Sequence, residues 1–189
     1  MQDFDGAIVF QYVIVASRTI AGAILLMAGI SKISNHQKFA EAVKNYELLP
    51  ARLAELVARV LPIIEIVTAV LLLASLLTAW VSLVATFLFL AFTGAVAINL
   101  LRGHRDIDCG CFGSKGHGYL TWGMVVRNAF LAGLCFAVYL SSFSKLAPIS
   151  FAETAATMLL SQVLLALWWL WSFIMKMQRL GEFRTTSDS

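Results

Sequence analysis

The sequence predicts an all-α protein, a polytopic transmembrane helical bundle accompanied by one amphipathic helix at the membrane surface. Of its 189 residues, 60% are hydrophobic and 13% are charged, whereas soluble domains usually carry about 25% charged residues. The mean hydropathy is +0.82. A single soluble core could not bury so much apolar surface, so lipid must surround most of the chain.

The apolar runs place the predicted membrane spans. Residues 66–101 contain no charged side chain, and as one helix they would be about 54 Å long, against a hydrocarbon core of about 30 Å. We therefore expect a tight turn between residues 75 and 80, with Trp80 at the interface. The whole chain gives one integral membrane domain over residues 1–178 and a polar tail at 179–189, with spans at about 8–33, 55–76, 79–101, 120–140 and 153–176.

Residues 36–50 have a different pattern from the spans. Apolar residues recur there at helical spacing, and lysines and glutamates occupy the other face. A helix of this kind is too polar to cross a bilayer and is expected to lie along its surface as a lid or spacer, ending at Pro50. The apolar positions are Phe39, Ala42, Val43, Tyr46 and Leu49, and the charged ones are Lys38, Glu41, Lys44 and Glu47.

Basic residues are distributed unequally between the two predicted sides of the membrane. With five spans, the segments 31–59, 102–127 and 176–189 fall on one side and hold twelve of the fourteen lysines and arginines. The other side holds Lys145. Because lysine and arginine accumulate in cytoplasmic loops, the pattern predicts an N-terminus outside the cytoplasm and a C-terminus inside it.

Arg18, Glu65 and Arg127 are charged residues predicted to lie at membrane depth. Such charges are costly in lipid and usually face protein or water. We expect Arg18 to lie near a boundary and to extend its guanidinium to water. We expect Glu65 to pair with Arg127 or Arg18, in a contact that holds the bundle together.

The polar break between the third and fourth spans carries the candidate chemistry. It reads Asp106-Ile-Asp-Cys-Gly-Cys-Phe-Gly113 and holds two of the three cysteines. Its three basic neighbours would favour a thiolate, while Asp106 and Asp108 would disfavour it. A disulfide between Cys109 and Cys111 would close a strained and readily reduced ring, which Gly110 is best able to tolerate. The basic neighbours are Arg102, Arg105 and Lys115.

Redox cycling is the favoured reading of this segment, and two others stay open. The cysteines could be structural, or His104, Cys109, Cys111 and His117 could bind zinc or Cu(I), although their spacing matches no standard zinc finger. We expect no resident metal or other cofactor. Cys135 is expected to be a small core residue. The sequence shows no phosphate-binding loop, hydrolytic triad or nucleic-acid surface.

Several motifs together resemble the MauE family of methylamine utilisation proteins, within the wider DoxX-like group of membrane proteins. The resemblance covers about residues 15–140, and Cys-Gly-Cys-Phe-Gly is its most telling element. The motifs are Arg18, Gly29-Ile-Ser-Lys-Ile33, Phe39, Tyr46-Glu-Leu-Leu-Pro50, Leu61-Pro-Ile-Ile-Glu65, Asn99-Leu-Leu-Arg-Gly103, Asp108-Cys-Gly-Cys-Phe-Gly113 and Arg127-Asn128.

The resemblance implies a four-helix core, with the fifth span outside it, in the bacterial inner membrane. It also implies a role in maturing the small subunit of methylamine dehydrogenase, through processing, export or disulfide formation, beside a thioredoxin-like periplasmic partner similar to MauD. The hypothesis is then thiol–disulfide exchange at Cys109 and Cys111. The supporting residues are Asp108, Gly110, Phe112, Gly113, Glu65, Arg127 and Arg18. A non-catalytic membrane scaffold or export factor for the same client is the alternative.

The charge pattern and the resemblance disagree about where the cysteines act. The charges put Cys109 and Cys111 near the cytoplasm, whereas the implied client is periplasmic. Either electrons are relayed across the membrane, through an inward-dipping loop or a second thiol such as Cys135, or the predicted orientation is reversed.

Overall fold

The computed structural model describes residues 2–103 and 120–143, and single positions at 156, 159, 160, 162, 163, 167 and 170. Within these residues every element is helical and there is no strand. Four of the five helices have the length and apolar composition needed to cross a bilayer. The predicted polytopic helical bundle is thereby confirmed. The helices are α1 (Gln2–Ser34), α2 (His36–Asn45), α3 (Ala51–Leu73), α4 (Thr78–Leu101) and α5 (Trp122–Ser141), and all but α2 are the candidate spans.

The boundaries around α2 differ from the prediction because of local backbone geometry. The helix ends at Asn45, before Pro50, and Glu47 takes a left-handed conformation with φ of 49°. Pro50 instead precedes α3, where its φ of −55° suits a residue that begins a helix. As a result α3 begins at Ala51, earlier than expected, and Pro62 lies inside the helix.

The predicted hairpin between the second and third spans is present. Helix α3 ends at Leu73 and α4 begins at Thr78, and the turn between them has positive φ at Ser75 and Leu77. The Thr78 hydroxyl donates a hydrogen bond to the carbonyl oxygen of Ser75 at 3.2 Å. Trp80 follows the turn with 69% of its surface exposed, as suits an interfacial aromatic residue.

The four long helices pack mainly as two pairs, α1 with α3 and α4 with α5, while the hairpin neighbours α3 and α4 meet over a smaller area. Gly22 and Gly29 let α1 approach α3 closely. A Cβ added at Gly22 would lie 3.0 Å from the Leu73 side chain, and one at Gly29 would lie 2.6 Å from Ile66 Cγ1. Small residues at a helix contact serve this purpose in membrane bundles.

Helix α2 covers one end of the bundle. It buries Phe39 and Ala42, packs mostly on α3, and leaves Lys38, Glu41 and Lys44 exposed. Its amphipathic character is as predicted, and its apolar face lies against protein. The fifth span and the polar tail fall mostly outside the described residues and stay predictions.

Candidate functional site: a buried ion pair beside an apolar cavity

One face of α1 carries the residues that build the interior site. Arg18, Gly22, Leu25, Gly29 and Lys32 are separated by alternating steps of four and three residues. That spacing places them in one stripe along a helix. Arg18, Leu25 and Lys32 are all buried, with 8%, 1% and 1% of their surfaces exposed. The stripe faces the interior of the bundle along its whole length.

At one end of this stripe, Lys32 forms an ion pair with Glu65 of α3. The ammonium Nζ donates a hydrogen bond to Glu65 Oε1, and Glu65 is fully buried. The second carboxylate oxygen, Oε2, has no hydrogen-bond partner among the described residues. The pair therefore retains one unused acceptor in the protein interior.

Two aromatic rings complete the surroundings of the lysine. The ammonium lies 4.1 Å from the ring centroid of Phe92 in α4 and 5.3 Å from that of Phe39 in α2. Both distances are within the range of about 6 Å over which a cation is attracted to a ring face. Lys32 thus contacts residues from three helices, and α2 shields the ion pair from solvent through Phe39.

A buried ion pair does not by itself show that the pair stabilises the fold. Removing two charges from water costs several kcal/mol per ion, by order of magnitude, and the mutual attraction repays this only when the geometry is very good. An apolar pair of similar volume would pack as well or better. Charged groups inside membrane bundles often mark functional positions, so we treat Lys32 and Glu65 as the centre of the candidate site.

An apolar cavity of about 230 Å³ adjoins the ion pair. Phe39 and Phe92, the two rings that contact Lys32, also form part of its wall. The cavity lies between α3 and α4 beneath α2. Among the described residues, its lining also includes Ala42, Val43, Tyr46, Leu48, Leu49, Val57, Leu61, Ala91, Ala95, Val96 and Asn128.

Two buried asparagines lie near this end of the bundle. Asn128 of α5 lines the cavity, is 9% exposed, and accepts a hydrogen bond of 3.4 Å at Oδ1 from Arg127 Nη2. Asn99 of α4 is fully buried, and its Nδ2 donates to the carbonyl oxygen of Ala95 at 2.9 Å. Asn99 Oδ1 has no partner among the described residues.

Arg18 corrects one expectation. The residue is buried, and its Nε and Nη2 atoms have no hydrogen-bond partner among the described residues. Arg18 lies one helical turn before Gly22, and Gly22 packs against Leu73, the last residue of α3. Arg18 is therefore close to the level of the α3–α4 turn, and it is the surrounding helices that bury it.

The expected partners of Glu65 were also wrong. Glu65 pairs with Lys32 and not with Arg18 or Arg127. The physical reason is the α1–α3 contact at Gly29, which brings the two helices together one turn from Lys32. Arg127 is exposed on α5 and contacts its neighbour Asn128.

The predicted redox residues Cys109 and Cys111, and their neighbours Asp108, Gly110, Phe112 and Gly113, lie outside the described residues, as do His104 and His117. Cys135 is 2% exposed in the main hydrophobic core, as expected. No group of three metal-binding side chains occurs in the described part of the chain.

Sequence reasoning missed Lys32, Phe92 and Asn128 as site residues. In the sequence alone Lys32 resembles a boundary charge, because it lies at the end of the first predicted span. The signal that identifies it is the stripe itself, since Lys32 shares its face with Gly22 and Gly29. Asn128 belongs to the Arg127-Asn128 motif of the resemblance, but its place in the cavity wall depends on how α5 packs, and Phe92 has no local signal.

Four apolar helices with an ion pair sealed inside them define a polytopic helical membrane protein with a built interior site. Its family follows from sequence comparison. The sequence model described as "Methylamine utilisation protein MauE" matches residues 10–141, which include α1 from Phe10 onward and every later helix through α5. The chain belongs to the MauE family of methylamine utilisation proteins.

Individual relatives agree with this assignment. The chain is 33% identical to methylamine utilization protein MauE of Paracoccus denitrificans over 159 residues, covering 84% of this chain and 83% of the relative. It is 36% identical to the Methylophilus methylotrophus protein of the same name, covering 76% and 75% of the two chains. The Methylorubrum extorquens protein is 37% identical, covering 72% and 77%. No solved structure matches the chain.

Proposed function

We propose that this membrane protein acts in methylamine utilisation by supporting maturation of the methylamine dehydrogenase small subunit through thiol–disulfide exchange at Cys109 and Cys111. The observation that supports a role in methylamine utilisation is membership of the MauE family, at 33–37% identity over most of the chain. The closely spaced cysteine pair in the segment between α4 and α5 supports the chemistry.

In the proposed exchange, the Cys109–Cys111 disulfide is the oxidant. A thiolate of the client, or of its thioredoxin-like partner, attacks one of the two sulfurs, which breaks the disulfide and releases the other cysteine as a thiolate. The second thiol of the partner then attacks the mixed disulfide. The partner leaves with a disulfide, and two electrons remain on Cys109 and Cys111 as a reduced pair.

The helices that flank the cysteine segment support a link to the interior site. Leu120, which follows the segment, packs with Val96 and Leu100 near the end of α4, and Tyr46 adjoins the same cluster. Val96 and Tyr46 also line the cavity. Leu120, the first described residue after the segment, therefore lies beside the cavity, at the end that α2 covers.

We propose that the protein lies in the bacterial inner membrane with its N-terminus in the periplasm. The end of the bundle near α2 carries Lys38, Lys44, Arg52, Arg59 and Arg102, whereas the turn between α3 and α4 at the opposite end has no charged residue. This asymmetry favours a cytoplasmic location for the α2 end. The cysteine pair would then need a route for electrons from a periplasmic client.

Cys109→Ser and Cys111→Ser are each expected to abolish formation of active methylamine dehydrogenase, because one cysteine cannot form the intramolecular disulfide. The readout is dehydrogenase activity and disulfide content of its small subunit in periplasmic extracts. Cys135→Ala is the matched control and should retain activity, since Cys135 is buried in the core. Full maturation in the Cys109→Ser/Cys111→Ser variant would reject the exchange and favour the scaffold or export reading.

Orientation is tested with single cysteines introduced into a chain that lacks Cys109, Cys111 and Cys135. Leu76→Cys lies in the α3–α4 turn and Lys44→Cys lies on the exposed face of α2. In intact spheroplasts, a membrane-impermeant maleimide is expected to label the first and to reach the second only after lysis. The reverse pattern would place the cysteine segment in the periplasm, directly beside the client.

A further inference from the structure

The cavity between α3 and α4 has the character of a small-molecule site. Its walls are mainly apolar or aromatic, and the polar side-chain groups among the lining residues that the structure describes are the Asn128 amide and the Tyr46 hydroxyl. Ligand sites in proteins commonly combine apolar walls with a few fixed polar groups in this way. Because Lys32 contacts both Phe39 and Phe92, the ion pair holds two of these walls in place and the cavity is preformed.

The size of the cavity limits its occupant. Its volume is about 230 Å³, somewhat larger than an engineered cavity of about 150 Å³ that binds benzene. One substituted six-membered ring would therefore fit. Larger ligand sites commonly occupy roughly 300–1,000 Å³, so the cavity suits a ring better than a large polar headgroup.

The Asn128 amide in the wall indicates which group of the occupant it would contact. Asn128 Oδ1 accepts from Arg127, and Asn128 forms no other hydrogen bond among the described residues. Its Nδ2 is therefore able to donate to a ligand. A carbonyl oxygen on the ring is the complementary acceptor, because an unsatisfied amide in an apolar site is costly.

Access to the cavity is from the side of the bundle. Two lining residues are exposed: Ala91, about ten residues before the end of α4, and Leu49, of which 40% is exposed. Ten residues of helix correspond to about 15 Å, so the opening lies within the depth of the membrane. The occupant would enter from the lipid and would be lipid-soluble.

We propose that this cavity binds the ring of a membrane quinone, which accepts electrons from the cysteine pair. This assignment rests on the proposed function, which leaves Cys109 and Cys111 reduced after each exchange and requires a two-electron acceptor. In the balancing step the two thiols form a disulfide and give up two electrons and two protons, and the quinone becomes a hydroquinone. The disulfide is then ready for another client.

The test is binding of decylubiquinone, a quinone with a short tail, to the full chain in nanodiscs free of endogenous quinone, measured by isothermal titration calorimetry. Ala95→Leu fills the cavity and is expected to weaken binding by at least about tenfold. Asn128→Leu removes one hydrogen bond and should weaken binding by about three- to tenfold. Ala97→Leu on α4 is the control for Ala95→Leu, since Ala97 is also half-buried but does not line the cavity.

The outcomes separate the site from the proposed function. Quinone should bind equally well to the wild-type chain and to the Cys109→Ser/Cys111→Ser chain. If quinone does not bind to the wild-type chain, or binds equally well to the Ala95→Leu variant, the proposed site is overturned and the thiol chemistry is unaffected. Mass spectrometry that finds an acyl chain of a phospholipid held by the wild-type chain and lost from Ala95→Leu would also overturn it. Binding without reduction of the quinone by the reduced wild-type chain would keep the site and reject the electron transfer.

Discussion

Lys32→Met is expected to lower the free energy of unfolding by about 3–5 kcal/mol, because it leaves the carboxylate of Glu65 buried without its cation. Glu65 has no exposed surface, and its second oxygen has no other partner among the described residues. Methionine keeps the length and volume of the lysine stem, so loss of the charge is the main change. The measurement is reversible unfolding in mixed micelles, followed by circular dichroism.

Two further variants isolate the ion pair. Lys38→Met, on the exposed face of α2, should leave the free energy of unfolding nearly unchanged. The double variant Lys32→Met/Glu65→Met should recover most of the lost stability, since an apolar pair of similar volume often packs as well as a buried ion pair. A double variant as unstable as Lys32→Met alone would show that packing of the lysine stem, and not its charge, is what the bundle needs.

The double variant also separates a structural role of the ion pair from a functional one. If Lys32 and Glu65 only hold α1 against α3, the folded double variant should support growth on methylamine like the wild type. We expect growth to be lost while the protein stays folded in the membrane, because the pair fixes the two rings that line the cavity. Normal growth would assign the pair to bundle assembly.

Gly29→Ala is expected to have the second large effect, a loss of about 2 kcal/mol, within the range of about 1–3 kcal/mol that overpacking a core costs. The added Cβ would lie 2.6 Å from Ile66 Cγ1 and 3.1 Å from the carbonyl oxygen of Pro62. The backbone oxygen cannot move without shifting α3. The same unfolding measurement applies, and the shift would also disturb Glu65, whose Cβ would lie 3.3 Å away.

Gly94→Ala is the matched control, because a Cβ at Gly94 in α4 would meet nothing within 4 Å. Alanine favours the helix over glycine by roughly 0.5–1 kcal/mol, so this variant should be as stable as the wild type or slightly more stable. Adding Ile66→Ala to Gly29→Ala removes the nearest clash and should restore part of the loss. Equal stability of the Gly29→Ala and Gly94→Ala variants would contradict the close helix contact.

The spans could be predicted from the sequence because each apolar run reports on its own length. The turn between α3 and α4 was found from the excess length of one run, and it lies at 74–77. The end of α2 could not be predicted, because it is fixed by the left-handed conformation of Glu47 and not by Pro50. The length of an apolar run does not indicate which helices pack together, so the close contact between α1 and α3 is known only from the structure.

The site was predictable only in part. Glu65 was identified because a carboxylate in an apolar run is unusual, but its partner depends on a tertiary contact at Gly29. In the sequence Lys32 resembles an ordinary boundary charge. Its burial depends on the packing of α2, which places Phe39 over it. The cysteine pair, singled out by composition and resemblance, stays a prediction.

The division of the bundle into two helix pairs has a consequence for its biosynthesis. Helix α1 makes its main contacts with α3, and α4 makes its main contacts with α5. Chains emerge from the ribosome N-terminus first, so α1 and α3 can close on each other, and seal Lys32 against Glu65, before α5 has been translated. Helices α4 and α5 then pack against the α1–α3 pair. Phe92 of α4 contacts Lys32 only after Lys32 has paired with Glu65.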